Sequence, residues 1–96
     1  MSAYVLVDIK VHDPLKFEEY KKLGPPSIVP YGGKYLARGG KTEVLDGTKI
    51  PERVVVIQFP SMEKAREWYN CAAYAEAIRI RHASATSSFI LVEGLE

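Results

Sequence analysis

A stretch near the beginning of the chain, residues 3–11, has the sequence AYVLVDIKV. Its residues alternate between two sets that would project to opposite sides of an extended chain. The first set is Ala3, Val5, Val7, Ile9 and Val11, and the second is Tyr4, Leu6, Asp8 and Lys10. Period-two alternation of β-branched residues predicts a β-strand with one face in a core.

The elements that follow this strand are predicted from local signals. A helix should begin at Pro14, because Asp13 is a favourable N-cap and proline is tolerated at the first helical position. It should end at Gly24, since Pro25 and Pro26 provide no amide donors. The remaining elements are predicted at residues 34–41 (strand), 53–59 (strand), 61–84 (helix, with a joint at residues 70–71) and 88–93 (strand). This order predicts an α+β fold, a ferredoxin-like βαββαβ sandwich with an antiparallel sheet.

The composition is that of a single globular domain over residues 1–96, with 47% hydrophobic and 26% charged residues. The net charge of +1 lacks the basic excess of nucleic-acid-binding proteins. Cys71 is the single cysteine, so neither an intramolecular disulfide nor a thiolate-rich metal site is predicted. No apolar run is long enough to span a bilayer, and the beginning of the sequence lacks a signal-peptide pattern. We therefore expect a cytoplasmic protein without nucleic-acid or membrane partners.

The predicted sheet has one face that its own helices do not cover. Right-handed crossover connections place both helices on the same face of such a sheet. The other face would carry Tyr4, Leu6, Val54, Val56 and, from the last strand, either Phe89 and Leu91 or Ile90 and Val92. Burying such a set of side chains contributes on the order of 10 kcal/mol. Because monomers rarely expose so large an apolar patch, we expect a homodimer in which two open faces pack together.

Three polar residues are assigned to the same open face: Asp8, Arg38 and Gln58. Buried charges are unfavourable unless they are paired or solvated, so this cluster predicts a small wet cavity in which a ligand binds. The pair of Asp8 and Arg38 has two interpretations. It is either an acid–base or substrate-orienting couple, with Arg38 binding a carboxylate or enolate oxygen, or an ion pair with a purely structural role.

Four further residues are candidates for ligand contact. Tyr31 precedes two glycines, where its phenol would donate a hydrogen bond to a bound carbonyl or would simply pack at the surface. Gly39 and Gly40 suggest a bulge or a close approach of another backbone, and Gly39 is a candidate for ligand contact. Trp68 and Tyr74 form either an aromatic wall for a flat ligand or, as helical aromatic stripes commonly do, part of the core. The candidate catalytic residues are Asp8, Arg38 and Tyr31, and the candidate ligand-binding residues are Gln58, Gly39, Trp68 and Tyr74.

Several short motifs occur in a characteristic order: YVLVD at 4–8, DP at 13–14, YGG at 31–33, LARGG at 36–40, RVVV at 53–56, FPS at 59–61, WY at 68–69 and LVEG at 91–94. In these motifs the chain resembles the bacterial family called domain of unknown function 1330 (DUF1330), within the dimeric α+β-barrel superfamily. The resemblance implies the ferredoxin-like fold and a barrel-forming dimer, but no established activity. Relatives in the superfamily include antibiotic-biosynthesis monooxygenases, haem-degrading monooxygenases and muconolactone isomerases.

The resemblance also allows the haem-binding alternative to be weighed. The haem-degrading relatives place an axial histidine on the second helix, a tryptophan earlier on that helix and an asparagine on the first strand. Here His82 lies fourteen positions after Trp68, and the first strand offers Asp8 in place of the asparagine. Two distant histidines and one cysteine do not make a closed metal site. We therefore expect no cofactor and no metal.

The leading hypothesis is a homodimeric α+β barrel that binds a small anionic or carbonyl-bearing organic molecule between the sheet and the helices. If the protein is an enzyme, a cofactor-independent isomerase or monooxygenase-type reaction is expected. Asp8 would then act as base, Arg38 would hold the anion and Tyr31 would polarise the carbonyl. The alternative is a non-catalytic dimer that binds a ligand or regulates a partner.

Overall fold

The computed structural model describes residues 1–95 and has the predicted order of elements. These are β1 (Ala3–Val11), α1 (Pro14–Ile28), β2 (Lys34–Arg38), β3 (Val54–Phe59), α2 (Met62–Tyr69), α3 (Ala72–Ser84) and β4 (Ala85–Glu93). A short 3₁₀ helix, Val29–Tyr31, follows α1. The predicted joint at residues 70–71 is confirmed, because α2 and α3 are separate helices. β4 begins three residues earlier than predicted, and β2 ends three residues earlier.

The four strands form one antiparallel sheet in the order β2-β3-β1-β4. β1 lies inside the sheet and pairs with both β3 and β4, as its clean alternation of buried and less buried residues requires. The helices pack on one face only, where their buried side chains join those of the sheet in a single core. The α+β, ferredoxin-like prediction is confirmed.

Aromatic side chains pack against one another in the core between the sheet and the helices. The Trp68 ring lies 4.2 Å from the Tyr74 ring and 5.1 Å from the Phe59 ring, measured between centroids. The Trp68 indole Nε1 donates a hydrogen bond of 2.9 Å to the Ser27 hydroxyl. That hydroxyl in turn donates to the Gly24 carbonyl at 2.6 Å. The chain of two hydrogen bonds ties the end of α1 to α2 inside the core.

The prediction that α1 ends at Gly24 was wrong, since the helix continues through Pro25 and Pro26 to Ile28. The two prolines leave the carbonyls of residues 21 and 22 without intrahelical donors, but both residues are exposed, so water can replace the lost bonds. Burial of Ile28 in the core favours the extra turn. Packing here outweighs local propensity.

A β-bulge interrupts the pairing of β2 with β3. Tyr35 pairs with Ile57 and Ala37 pairs with Val56, so Leu36 is an extra residue between them. The alternation of β2 is therefore inverted after the bulge. In consequence Arg38, which pairs with the buried Val55, projects to the face that the helices cover.

The other face of the sheet is open and carries exposed apolar side chains. Leu6, Ile90 and Val92 expose 42%, 59% and 43% of their surface. The register places these three residues side by side, because Leu6 pairs with Ile90 and the neighbouring Tyr4 pairs with Val92. Of the two sets considered for the last strand, Ile90 and Val92 therefore face outwards.

We expect Gly33→Ala to destabilise the fold by about 1–3 kcal/mol. A Cβ at this position would lie 2.7 Å from Phe59 Cε1 and 2.8 Å from Ile28 Cβ, both in the core. Gly40→Ala is the matched control, because a Cβ there meets no atom within 4 Å. Urea unfolding measures both variants, and equal midpoints for Gly33→Ala and Gly40→Ala would contradict this account of the packing.

Candidate ligand-binding site

A cavity of about 450 Å³ lies between α1 and the sheet. Its floor is apolar and consists of Val7, Ile9, Val55 and Ile57 from the helix-facing side of the sheet. Phe17 and Tyr20 of α1 form the opposite wall. The volume falls in the range of small-molecule sites in proteins, and mostly apolar walls are typical of them.

Three basic side chains line the cavity: Arg38 and Arg53 lie at the end formed by β2 and β3, and Lys21 of α1 forms an ion pair with Glu18 at 3.0 Å. Arg38 is exposed and stacks on Tyr35, with its guanidinium carbon 4.4 Å from the ring centroid. Arg53 is partly buried and lines the same cavity. The residues that line this cavity include no carboxylate. The ion pairs recorded within residues 1–95 involve neither arginine, so the positive charge at this end is not neutralised by a neighbouring side chain.

Gly39, a predicted ligand-binding residue, is not among the residues that line the cavity but lies next to Arg53. Its backbone is left-handed, with φ of 67°, and a Cβ at this position would lie 2.7 Å from a guanidinium nitrogen of Arg53. Its amide donates to the Val54 carbonyl at 2.9 Å. Glycine suits this backbone conformation, and its lack of a side chain leaves room for the Arg53 guanidinium.

A chain of polar side chains runs from the wall of the cavity into the core. The hydroxyl of Tyr20 lies 2.6 Å from that of Tyr74, and Arg81 Nη1 donates to the Tyr74 hydroxyl at 2.7 Å. The other terminal nitrogen of Arg81 donates to the Tyr69 hydroxyl at 3.2 Å. Arg81 is only 1% exposed, and its guanidinium carbon lies 4.0 Å above the ring of Phe89. Phe89 itself lines the cavity.

The environment sets the charge states in this chain. Burial raises the pKa of Tyr74 far above its usual value, and the adjacent Tyr20 phenol adds to the shift, so Tyr74 stays protonated. Burial lowers the pKa of Arg81, but the phenols of Tyr74, Tyr69 and Tyr20 outweigh it and the net shift is upward. Arg81 therefore remains a cation inside the protein. Burial also raises the pKa of Tyr35, with a further contribution from Tyr20, while Arg38 opposes the shift.

The predicted cluster of Asp8, Arg38 and Gln58 does not form. Asp8 and Gln58 lie on the open face, whereas the bulge turns Arg38 to the helix-covered face, so their placement on one face was wrong. The Asp8 carboxylate instead accepts hydrogen bonds from the backbone amides of Glu52 (2.9 Å) and Arg53 (3.1 Å). It thereby fixes the beginning of β3. Gln58 Nε2 donates to the Ser2 hydroxyl at 3.3 Å.

The remaining candidates occupy different places. Tyr31 is outside the lining of the 450 Å³ cavity, beside Cys71, and its hydrogen bond with the thiol raises the pKa of Tyr31. Trp68 and Tyr74 are 1% and 0% exposed, so they form part of the core. Tyr74 nevertheless contacts the cavity wall through Tyr20. Trp68 borders a smaller cavity of about 280 Å³.

Three residues of the site were not among the candidates: Tyr20, Arg53 and Arg81. Arg81 carried a signal, because Tyr74, Ala77, Arg81 and Ser84 follow one another at helical spacing and all are buried. A cation on an otherwise buried helical stripe is unusual and marks a position of interest. Arg53 carried a signal as well, because the alternation of the strand predicted at residues 53–59 places it on the same face as Val55 and Ile57.

Within residues 1–95, no group of three or more histidine, cysteine, aspartate or glutamate side chains is placed to hold a metal ion. His82 is exposed, and its Nε2 lies 3.4 Å from Arg81 Nη2. Across the same described range, none of the helices has both the length and the apolar character needed to cross a bilayer.

The sheet, the helices on one of its faces and the cavity between them define a ferredoxin-like α+β domain. The model of the family described as domain of unknown function (DUF1330) matches residues 2–95, and the chain belongs to this family. The predicted family membership is thus confirmed. None of the curated proteins compared with the sequence matches it.

Solved structures share the fold at low sequence identity. A protein of unknown function from Rhodopseudomonas palustris has a TM-score of 0.80 at 19% identity, covering 99% of this chain and 83% of the other. SnoaB, a cofactor-independent oxygenase from Streptomyces nogalater, has a TM-score of 0.66 at 13% identity, covering 99% and 94%. A dimeric protein of unknown function with a ferredoxin-like fold, from Bacteroides fragilis, has a TM-score of 0.62 at 10% identity, covering 97% and 96%. These similarities establish the fold alone.

We expect the burial of Tyr74 to make the fold less stable in alkali. The pKa of this phenol is raised in the folded protein, so above about pH 10 the unfolded chain releases a proton that the folded chain keeps. The stabilisation is complete below that pH and falls as the pH rises. Relative to Tyr74→Phe, the wild-type free energy of unfolding should fall more steeply by about 1.4 kcal/mol per pH unit.

Urea unfolding at several pH values from about 8 to about 11.5 measures this difference. The lysines titrate in both proteins, so their contribution cancels in the comparison. Parallel pH dependences for wild type and Tyr74→Phe above pH 10 would show that the phenol is not held protonated by burial.

Proposed function

We propose that the protein binds a small organic anion in the 450 Å³ cavity between α1 and the sheet. The observation that supports this is the pair of arginines, Arg38 and Arg53, at one end of a mostly apolar cavity whose lining includes no carboxylate. A carboxylate would neutralise this charge through charge-assisted hydrogen bonds, and guanidinium groups suit its planar geometry. An apolar body would cover the floor formed by the sheet.

The same geometry favours binding over proton abstraction. A general base must lie within about 3 Å of the substrate proton, or one water away. Asp8, the predicted base, lies on the opposite face of the sheet, and Tyr31 is not part of the cavity lining. We therefore place the non-catalytic, ligand-binding alternative ahead of an isomerase or monooxygenase-type reaction. The oxygenase SnoaB shares the fold at 13% identity, which supports no transfer of its chemistry.

We also propose that two copies associate through the open face of the sheet. Its exposed Leu6, Ile90 and Val92 form an apolar patch that a second copy would bury. The structurally similar protein from Bacteroides fragilis is described as dimeric, which supports the association of two copies. Because the cavity lies on the helix-covered face, it stays accessible when the open faces pack together.

The ligand proposal is tested with benzoate, 4-acetylbenzoate and hexanoate, each compared with its uncharged amide. We expect the carboxylates to raise the melting temperature and the amides to raise it much less, because only the folded cavity binds the anion. By calorimetry, Arg38→Gln and Arg53→Gln should each weaken carboxylate binding about tenfold.

Arg79→Gln is the matched control, since Arg79 is exposed and pairs with Glu76 on α3. It should leave the dissociation constant unchanged. Equal binding of acids and amides, no binding of any acid, or an equal loss in Arg79→Gln would refute the arginine-bound anion.

The dimer is tested by sedimentation at micromolar concentration. The wild type should sediment as a dimer and Leu6→Glu as a monomer, because the carboxylate would be buried without a partner at the centre of the interface. Leu15→Glu serves as control, as Leu15 is 86% exposed on α1 and away from the open face. A monomeric wild type, or a dimeric Leu6→Glu variant, would argue against sheet-to-sheet association.

A further inference from the structure

Arg81 is a buried cation that forms no ion pair with an acidic side chain within residues 1–95. Its hydrogen-bond partners are the neutral phenols of Tyr74 and Tyr69 and the ring of His82, and its Nε has no partner at all in the described part of the chain. A buried charge without a counter-charge is unfavourable for stability. An aliphatic side chain would occupy the same space without this cost.

The cation determines the direction of the hydrogen bonds that lead to the cavity. A guanidinium only donates, so the Tyr74 oxygen accepts from Arg81. The hydroxyl hydrogen of Tyr74 then needs an acceptor, and within residues 1–95 its other partner is the Tyr20 oxygen, 2.6 Å away. The opposite orientation would leave the buried Tyr74 hydroxyl without an acceptor, which is unfavourable. Tyr74 therefore donates to Tyr20.

The series of hydrogen bonds that begins at Arg81 ends at the hydroxyl hydrogen of Tyr20. The Tyr20 oxygen is occupied as an acceptor, and its hydrogen has no acceptor among the described residues. Tyr20 lines the cavity on its α1 wall, whereas Arg38 and Arg53 lie at the end formed by β2 and β3. Tyr20 therefore provides a directed neutral donor on the α1 wall, in addition to the cationic groups of Arg38 and Arg53.

We infer that Arg81, acting through Tyr74, fixes the Tyr20 hydroxyl as a hydrogen-bond donor to a second oxygen of the ligand. The ligand class is then a carboxylate that also bears a carbonyl or similar acceptor on an apolar body, such as an oxo acid. This inference rests on the proposed function for the anionic end. Tyr20 is the residue that contacts the ligand, and Tyr74 and Arg81 are positioning residues.

The probes are 4-acetylbenzoate and 4-isopropenylbenzoate, which have nearly the same shape and differ in a C=O group and a C=CH₂ group. Calorimetric titration gives the ratio of their dissociation constants, which reports the hydrogen bond to the carbonyl and little else. We expect the wild type to prefer 4-acetylbenzoate about tenfold. In Tyr20→Phe the preference should disappear, because the affinity for 4-acetylbenzoate falls while that for 4-isopropenylbenzoate stays the same.

Two further variants test the chain behind Tyr20. Tyr74→Phe should reduce the preference about threefold, since the Tyr20 hydroxyl is no longer held and polarised from behind. Tyr69→Phe is the matched control, because it removes the other phenol bonded to Arg81 without touching the path to Tyr20. It should keep the full preference. Arg81→Met removes the hydrogen bond from Arg81 to the Tyr74 hydroxyl. This variant serves in place of Tyr74→Phe if Tyr74→Phe does not fold.

The outcomes separate this inference from the proposed function. If neither benzoate binds the wild type, the anion site itself is refuted. If both bind with equal affinity, or if Tyr20→Phe keeps the preference, the anion site stands and the donor role of Tyr20 falls. An equal preference in wild type, Tyr74→Phe and Arg81→Met would overturn the positioning role of the buried cation.

Discussion

The pairing of β1 on both of its sides is the constraint on which the rest of the molecule depends. β1 is hydrogen-bonded to β3 and to β4 in antiparallel register. Residues that face each other across an antiparallel pair share a face, so the alternation along β1 assigns the side chains of three strands at once. Val7, for example, pairs with Val55 and Phe89, and all three line the cavity. A shift of one residue would place this apolar set in water.

The same constraint explains how much of the fold could be predicted from the sequence. The alternation along residues 3–11 and 54–59 is regular, so the two faces of β1 and β3 follow from it directly. The division of the second helical region at residues 70–71 was visible in the change of its apolar stripe. The end of α1 was not, because the buried contacts of Ser27 and Ile28 favour a turn that the prolines alone disfavour.

The site was harder to predict because one extra residue in β2 exchanges the faces to which the later side chains of that strand project. Gly39 and Gly40 suggested a bulge, but the extra residue is Leu36. Among residues 1–95 no residue other than glycine has a positive φ, so the bulge at Leu36 needs no special residue and leaves no mark in the sequence. Regular alternation would place Arg38 on the open face with Asp8. The bulge instead brings Arg38 to the cavity and leaves Asp8 to bind the amides at the beginning of β3.

The buried Arg81 has an effect on the neighbouring hydroxyl groups that an uncharged side chain of similar size would not have. Its charge is stabilised by the face of the Phe89 ring, 4.0 Å away, and by two phenol oxygens, yet its Nε stays without a partner. A methionine would fill the same space and would remove the desolvation cost. A methionine would not, however, determine which of the Tyr74 and Tyr20 hydroxyls donates the hydrogen bond between them, because a hydroxyl can rotate to donate or to accept. A cation at the closed end of a row of phenols makes every hydroxyl hydrogen point away from it. In this protein the last of these hydroxyl groups belongs to Tyr20, which lines the cavity.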